Sequence, residues 1–189
     1  MIVASPMNEE ELRNLMYTAQ LKNYGPFAIR YPKGNGVMLD WEKPFTKIEI
    51  GKGKMIKDGS DMAILTIGHV GNFASDAILK LEKEGYSIAH YNLRFVKPLD
   101  NELLHEVCRK FDKIITVEDG TIVGGMGSAV LEFISDNKYK SQVERLGVPD
   151  RFIEHGTQRE LYDECGYHIE GIIKSAKEIL IKTHSKQLL

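Results

Sequence analysis

Residues 62–93 read MAILTIGHVGNFASDAILKLEKEGYSIAHYNL, and their hydrophobic period changes twice. Met62 to Ile67 is a short apolar run of strand length. Val70, Phe73, Ala74, Ala77, Ile78 and Leu81 then recur at helical spacing, Gly85 stops the helix, and Ser87 to Leu93 supplies the next strand.

The alternation continues downstream. Pro98-Leu99-Asp100 introduces a helix carrying Leu103, Leu104 and Val107, and Lys113 to Val117 is a β-branched strand. A helix from about Ser128 to Ser135 precedes a strand around Val143 to Leu146, and Ile169, Ile172, Ile173, Ala176 and Leu180 stripe a terminal helix. Strands separated by helices imply an α/β fold in three layers, with a mostly parallel sheet between helices. Upstream, Lys54 to Lys57 and Met62 to Ile67 flank Asp58-Gly59-Ser60, which predicts an antiparallel pair at a sheet edge. The tail from His184 to Leu189 has no packing logic and is expected to fray.

The amino-terminal stretch reads strand, helix, strand. Ile2 to Ala4 is apolar, Asn8 can cap a helix with Glu11 three residues on, and Leu12, Leu15, Met16 and Ala19 share a helical face. Phe27 to Ile29 then resembles a buried strand that delivers Arg30 and Tyr31 at its end. From Pro32 to Phe45 the hydrophobic period is lost, which predicts a linker over 34–45 between an amino-terminal unit, 1–33, and a main domain, 46–189. One strand-helix-strand cannot bury both faces of its sheet, so the first unit needs a partner, and docking on a neighbouring copy is one source of it.

The 189 residues are 42% hydrophobic and 28% charged with a formal net charge of -2, a globular composition giving no general electrostatic reason to bind nucleic acid or an anionic membrane. No stretch approaches the roughly 20 apolar residues of a membrane span, and the first residues lack a basic region followed by an apolar signal core. Cys108 and Cys165 lie far apart in no metal-ligand spacing, which fits a soluble protein of the reducing cytoplasm.

Arg30 is placed where a strand emerges into a Gly-rich turn, where a planar guanidinium can hold a phosphate or carboxylate through two parallel hydrogen bonds or, alternatively, form a structural ion pair. Lys33 reads first as a solvated charge, which could also add positive potential to the same opening. The run Glu118-Asp119-Gly120-Thr121-Ile122-Val123-Gly124-Gly125-Met126-Gly127-Ser128 follows a strand and opens a helix; its amides could face an anion, whereas its glycines equally permit tight turns and close packing. Glu118 and Asp119 diverge if strand geometry persists, which favours a capping or turn role over paired acid-base work. His69, His90, His105, His155, His168 and His184 form no zinc spacing, and of these His69 and His155 occupy plausible functional loops. No nucleophile elbow or Walker-type phosphate loop occurs.

Five collinear stretches carry a family resemblance: IVASPMNEEELRNLMYTA, GPFAIRYPKGNG, YNLRFVKPLD, TVEDGTIVGGMGSAV and LGVPDRFIEHGTQRELYDECGYHIEGI. Together they resemble the carboxy-terminal part of the 1-deoxy-D-xylulose-5-phosphate synthases, within the transketolase superfamily. The resemblance implies the end of a pyrimidine-binding domain followed by a carboxy-terminal domain with a mixed five-stranded sheet. For the complete enzyme it implies thiamine diphosphate with Mg2+, decarboxylation of pyruvate, condensation with glyceraldehyde 3-phosphate, and a homodimer feeding isoprenoid, thiamine and pyridoxal biosynthesis. It maps a substrate-phosphate arginine onto Arg30. The family's metal motif, activating glutamate and active-site histidines have no counterpart here, so the chain alone is expected to bind no cofactor or metal and to be inactive, serving dimerisation. An independent protein-interaction module and a phosphate-binding domain using Gly124 to Gly127 are the alternatives.

Overall fold

The computed structural model describes residues 1–21 and 23–184. In chain order its elements are β1 (Ile2–Ala4), α1 (Glu9–Ala19), β2 (Phe27–Ile29), β3 (Lys54–Lys57), β4 (Met62–Ile67), α2 (Val70–Lys83), β5 (Ile88–Asn92), β6 (Phe95–Lys97), α3 (Asn101–Lys110), β7 (Lys113–Thr121), α4 (Met126–Asp136), β8 (Gln142–Val148), α5 (Gln158–Glu164) and α6 (Ile169–His184). The expectation for the tail beyond His184 lies outside the described residues.

Five strands form one sheet in the order β3-β5-β4-β7-β8. β5, β4, β7 and β8 run parallel and β3 is antiparallel at the edge, so the sheet is mixed and mostly parallel as the sequence implies. Every residue of β4 and β5 is buried, which is why Met62 to Ile67 reads as an apolar run without alternation. Val70, Ala74, Ile78 and Leu81 of α2 and Ile172 and Ala176 of α6 pack on one face. Leu104 and Val107 of α3 and Val130 and Phe133 of α4 cover the other, completing three layers.

The edge pairing differs from the sequence expectation: β3 is antiparallel, but to β5 and not to β4. The segment between β3 and β4 crosses the start of β5 without reversing into a hairpin. The amides of Ser60 and Asp61 both donate to the Ser87 carbonyl, at 3.0 and 2.8 Å, and the Ser87 amide donates to Asp61 Oδ2 at 2.8 Å. A Cβ at Gly59 would stand 2.4 Å from the Ala89 nitrogen, so glycine is what permits the crossing.

A second sheet has the order β2-β1-β6, with β1 parallel to β2 and antiparallel to β6. The partner that the amino-terminal unit requires is thus supplied by the same chain. The sequence reading ended its strand at Leu93 and missed β6. Arg94 takes a positive φ of 59° and breaks the extended run, turning Phe95 out of the large sheet into a separate core with Ala4, Leu15 and Ile48.

Asn8 caps α1 as expected, its Oδ1 accepting from the Glu11 amide at 2.9 Å. The buried face of α1, however, is Glu11, Asn14, Leu15 and Thr18, while Met16 is exposed. The irregular segment after β2 accounts for this polar face. Asn14 Oδ1 accepts from the Thr46 amide and Thr18 Oγ1 from the Ile48 amide, both at 2.9 Å, and Glu9 accepts from the amides of Val37 and Met38. A segment without secondary structure needs outside partners for its amides, and α1 provides them. Glu11 instead binds Arg94 Nε at 2.5 Å and Asn92 Nδ2 at 3.0 Å, fastening α1 to the turn between β5 and β6.

Candidate functional site

The parallel part of the large sheet reverses its winding between β4 and β7: the chain leaves β4 toward β5 on one side, then returns past it to β7 and β8 on the other. At such a switch point the connections diverge from the carboxyl ends of adjacent strands and leave a crevice. His69 follows β4 and Asp119 lies near the end of β7, so both stand at this crevice. Arg30, one residue past β2, reaches it from the small sheet. Ser5, Arg30, Tyr31, Lys33, His69, Asp119 and Gln158 are among the residues lining a cavity of about 210 Å3 there. A second cavity of about 360 Å3 adjoins it, shares Tyr31, Lys33, His69 and Gln158, and extends along Met7, Leu12 and Phe73.

Backbone contacts set the position of Arg30. Its amide donates to the Ala4 carbonyl at 2.9 Å, extending the ladder of β1 and β2, and its carbonyl accepts from Ser5 Oγ at 2.8 Å. Gly68, with φ +78°, brings His69 close: a Cβ there would lie 2.4 Å from Ser5 Oγ. The Arg30 side chain is 61% exposed and its Nη2 stands 3.8 Å from Asp119 Oδ2. That separation is too long for a hydrogen bond, which leaves the guanidinium donors available to a ligand. Asp119 Oδ1 is anchored, accepting from the Tyr167 hydroxyl at 2.8 Å. Gln158 Nε2 donates to the Lys33 carbonyl at 2.7 Å, so α5 holds the Lys33 backbone at the cavity rim.

Burial lowers the proton affinity of His69, with the Asp119 carboxylate opposing and the Arg30 charge reinforcing that shift. Burial foremost, then Asp119, pushes the Tyr167 phenol far up, so it remains a donor. The crevice therefore presents fixed positive charge from Arg30 and Lys33 beside one carboxylate and a neutral imidazole. Such a set can bind and orient an anion bearing further polar groups.

The Gly-rich run does something else. Strand geometry continues through Glu118 and Asp119, and the two side chains part as the sequence suggests. Glu118 is buried, its Oε2 accepting from the Met126 amide and its Oε1 from the Gly127 amide, each at 2.8 Å. Two of the amino-terminal amides of α4 that could have faced a phosphate, those of Met126 and Gly127, are occupied by the protein's own carboxylate. Burial raises the Glu118 pKa above the usual carboxylate value, and these two amides oppose that shift without cancelling it.

Other groups singled out in the sequence lie elsewhere. His90 is buried between Thr66 Oγ1 at 2.9 Å and Ser75 Oγ at 3.3 Å. His105 meets the Tyr139 hydroxyl at 2.9 Å, and His168 pairs with Asp163 at 2.9 Å. His155 is exposed in the loop before α5. Cys108 and Cys165 are free thiols.

A sequence profile described as "Transketolase, C-terminal domain" matches residues 51–172, which is more than half of the chain. The chain belongs to the transketolase carboxy-terminal domain family. Among curated relatives, a 1-deoxy-D-xylulose-5-phosphate synthase of Cytophaga hutchinsonii is 58% identical over 180 residues, covering 95% of this chain and 28% of the relative. Proteins of the same name from Bacteroides thetaiotaomicron and a Geobacillus species are 58% and 39% identical, covering 91% and 95% of the chain. The chain thus spans somewhat over a quarter of the length of these relatives. A solved structure titled "Split gene transketolase, inactive beta4 tetramer" superposes with a TM-score of 0.82 at 29% identity, covering 96% of this chain and 58% of that one.

In this transketolase-type domain the large sheet lies wholly within the matched range, whereas Arg30 comes from the β1-α1-β2 unit ahead of it. Sequence reasoning marked Arg30 and Lys33, noted His69 as a plausible loop residue, and did not connect Asp119, Tyr167 or Gln158 with them. The missing signal was strand order: only with β4 beside β7 do residues 69 and 119 meet. One local cue was legible. Thr157 and Glu160 form a capping box, which announces α5 and places Gln158 at its first turn.

Proposed function

We propose that the chain is the carboxy-terminal part of a 1-deoxy-D-xylulose-5-phosphate synthase, and that in the complete enzyme Arg30, with Lys33 at the same cavity, binds the phosphate of glyceraldehyde 3-phosphate. The observation that carries the reading is the placement of an exposed guanidinium at the switch-point crevice, in a chain 58% identical to proteins of that name. A guanidinium matches two phosphate oxygens with parallel charge-assisted hydrogen bonds and so fixes the direction in which the aldehyde end points. Condensation of that aldehyde with a pyruvate-derived two-carbon unit then takes place on thiamine diphosphate with Mg2+.

The residues of this chain do not fit that cofactor pair. Among the described residues no three His, Cys, Asp or Glu side chains gather to hold a metal, and the Met126 and Gly127 amides at the start of α4 are taken by Glu118. Cofactor binding is assigned to residues outside the chain, and the chain alone is assigned no turnover. Its remaining work is to carry Arg30 and to support a homodimer in the cytoplasm.

The test is kinetic. In the complete enzyme Arg30→Ala lowers kcat/KM for glyceraldehyde 3-phosphate by about 10- to 150-fold, the worth of a charge-assisted contact, while the KM for pyruvate and the use of unphosphorylated glyceraldehyde hold steady. Equal losses with both acceptors would remove the role. Product formed by the isolated chain from pyruvate, glyceraldehyde 3-phosphate, thiamine diphosphate and Mg2+ would overturn the assignment of inactivity.

A further inference from the structure

Two cationic or potentially cationic groups converge on one carboxylate oxygen. Arg30 Nη2 and His69 Nε2 each lie 3.8 Å from Asp119 Oδ2, while Oδ1 is fixed by the Tyr167 hydroxyl at 2.8 Å. Neither approach is a hydrogen bond, and His69 Nε2 is shut off from solvent without any hydrogen-bond partner. A buried ring nitrogen left unpaired beside a carboxylate is an arrangement that one proton and a shift of about 1 Å would satisfy.

We infer that Asp119 is an exchangeable counter-ion: a tetrahedral dianion arriving at Arg30 takes the guanidinium from Asp119, and Asp119 then pairs with His69, which takes up one proton from solvent. This rests on the reading of Arg30 as an anion ligand and adds the two residues that set how strongly it binds. Arg30 is mostly exposed and loosely held, so a ligand with two negative charges and two acceptor oxygens displaces a single carboxylate that does not touch it.

The surroundings of His69 favour the exchange. In the empty site burial is the largest influence holding the ring neutral, Asp119 works against it, and Arg30 adds to it. A bound dianion cancels the Arg30 charge and leaves Asp119 unopposed apart from burial. The other groups near the ring do not replace it as proton acceptors. Tyr162 of α5 packs beside it at 5.5 Å with a phenol that burial keeps protonated, and Tyr167 is committed to Asp119. Lys33, on the rim of the same cavity, is positive and is also screened by the incoming anion. His168 stands behind Phe73 and has its own partner in Asp163. By linkage, anion affinity rises as pH falls, by up to tenfold per pH unit, between the midpoints of the free and occupied site.

Ring resonances of His69 in the isotope-labelled 189-residue chain, assigned by their loss in His69→Gln, are titrated by NMR with and without saturating sulfate, a dianion that does not itself titrate near neutrality. The expected result is a rise in the His69 midpoint of about one pH unit with sulfate. Arg30→Ala abolishes the rise. Asp119→Asn, which keeps an acceptor for Tyr167, also abolishes it and tightens sulfate binding several-fold, because Arg30 no longer has an internal competitor. A sulfate-dependent shift of the Arg30 side-chain resonances with an unmoved His69 midpoint would overturn the exchange and leave Arg30 as the anion ligand. Arg30 resonances that do not respond to sulfate would overturn the Arg30 reading, and the exchange with it.

Discussion

Glu118 reaches across its own loop to Gly127, its Oε1 accepting the Gly127 amide at 2.8 Å while Oε2 accepts that of Met126. A carboxylate offers two acceptors to two donors at a helix amino terminus, and no other side chain of that length does both. Glu118→Gln replaces one acceptor with a donor and leaves one buried amide unpaired. It is expected to cost about 1–3 kcal/mol in urea unfolding of the chain. An unchanged midpoint would mean that water satisfies the α4 amides and that the Glu118 contacts are incidental.

The glycines of the same run serve two different needs. Gly124 has φ +74° with open space around it, whereas Gly125 has an ordinary φ of -84° but a Cβ there would fall 2.1 Å from the Thr121 carbonyl oxygen. Gly124→Ala is therefore expected to cost only the left-handed penalty of about 1–2 kcal/mol. Gly125→Ala collides with backbone and is expected to cost more, about 3 kcal/mol or above. Thermal melts of the pair check the order; a Gly124 variant less stable than the Gly125 variant would show that the close packing of this loop is not what its glycines provide.

Part of this fold was legible in the sequence. The central buried strand announced itself, since Met62 to Ile67 is apolar but for Thr66 and is bounded by polar residues and glycine, whereas Ile88 to Asn92 buries His90 and Asn92 beside its apolar residues. Roles that follow from local geometry came through as well: the Asn8 cap and the divergence of Glu118 from Asp119. Pairing did not come through. β3 was expected beside β4 and lies beside β5, because a turn signal marks where a chain bends and says nothing of what it bends around. The α1 face was misjudged for a related reason. An apolar period would bury Met16, but the amides of an irregular segment needed acceptors more, and Asn14 and Thr18 were placed to serve them. The candidate site was legible as Arg30, Lys33 and, separately, the loop residue His69; that Asp119 joins them depends on strand order.

Phe95 is the keystone of the small sheet, fully buried among Ala4, Leu15 and Ile48 on a strand that pairs with β1. The large sheet has its own two cores and does not depend on it. Phe95→Ala is expected to cost about 3–5 kcal/mol locally. Amide hydrogen exchange should then show residues 2–4 and 27–29 losing protection while β4, β5 and β7 keep theirs. Uniform loss across both sheets would mean that the two units unfold as one.

His90 gives the chain its expected acid sensitivity. Burial between Thr66 and Ser75 pushes its pKa down from 6.5 to about 4, because the charged ring would have to leave water. The sign follows from proton counting. Between those two values the unfolded chain carries the proton and the folded chain does not, so stability is full above pH 6.5 and declines as pH falls toward 4. The decline from this residue reaches about 3 kcal/mol at pH 4. His90→Gln keeps a polar side chain between the two hydroxyls and removes the titration. Unfolding free energies measured at pH 7 and pH 4 should thus differ by about 3 kcal/mol less in the variant than in the parent chain. His69 shifts in the same direction and stays in both proteins, so the comparison isolates His90. Parallel pH profiles for the two proteins would show that the ring gains its proton in the folded state at an ordinary pH, and that the pocket between Thr66 and Ser75 admits the charge.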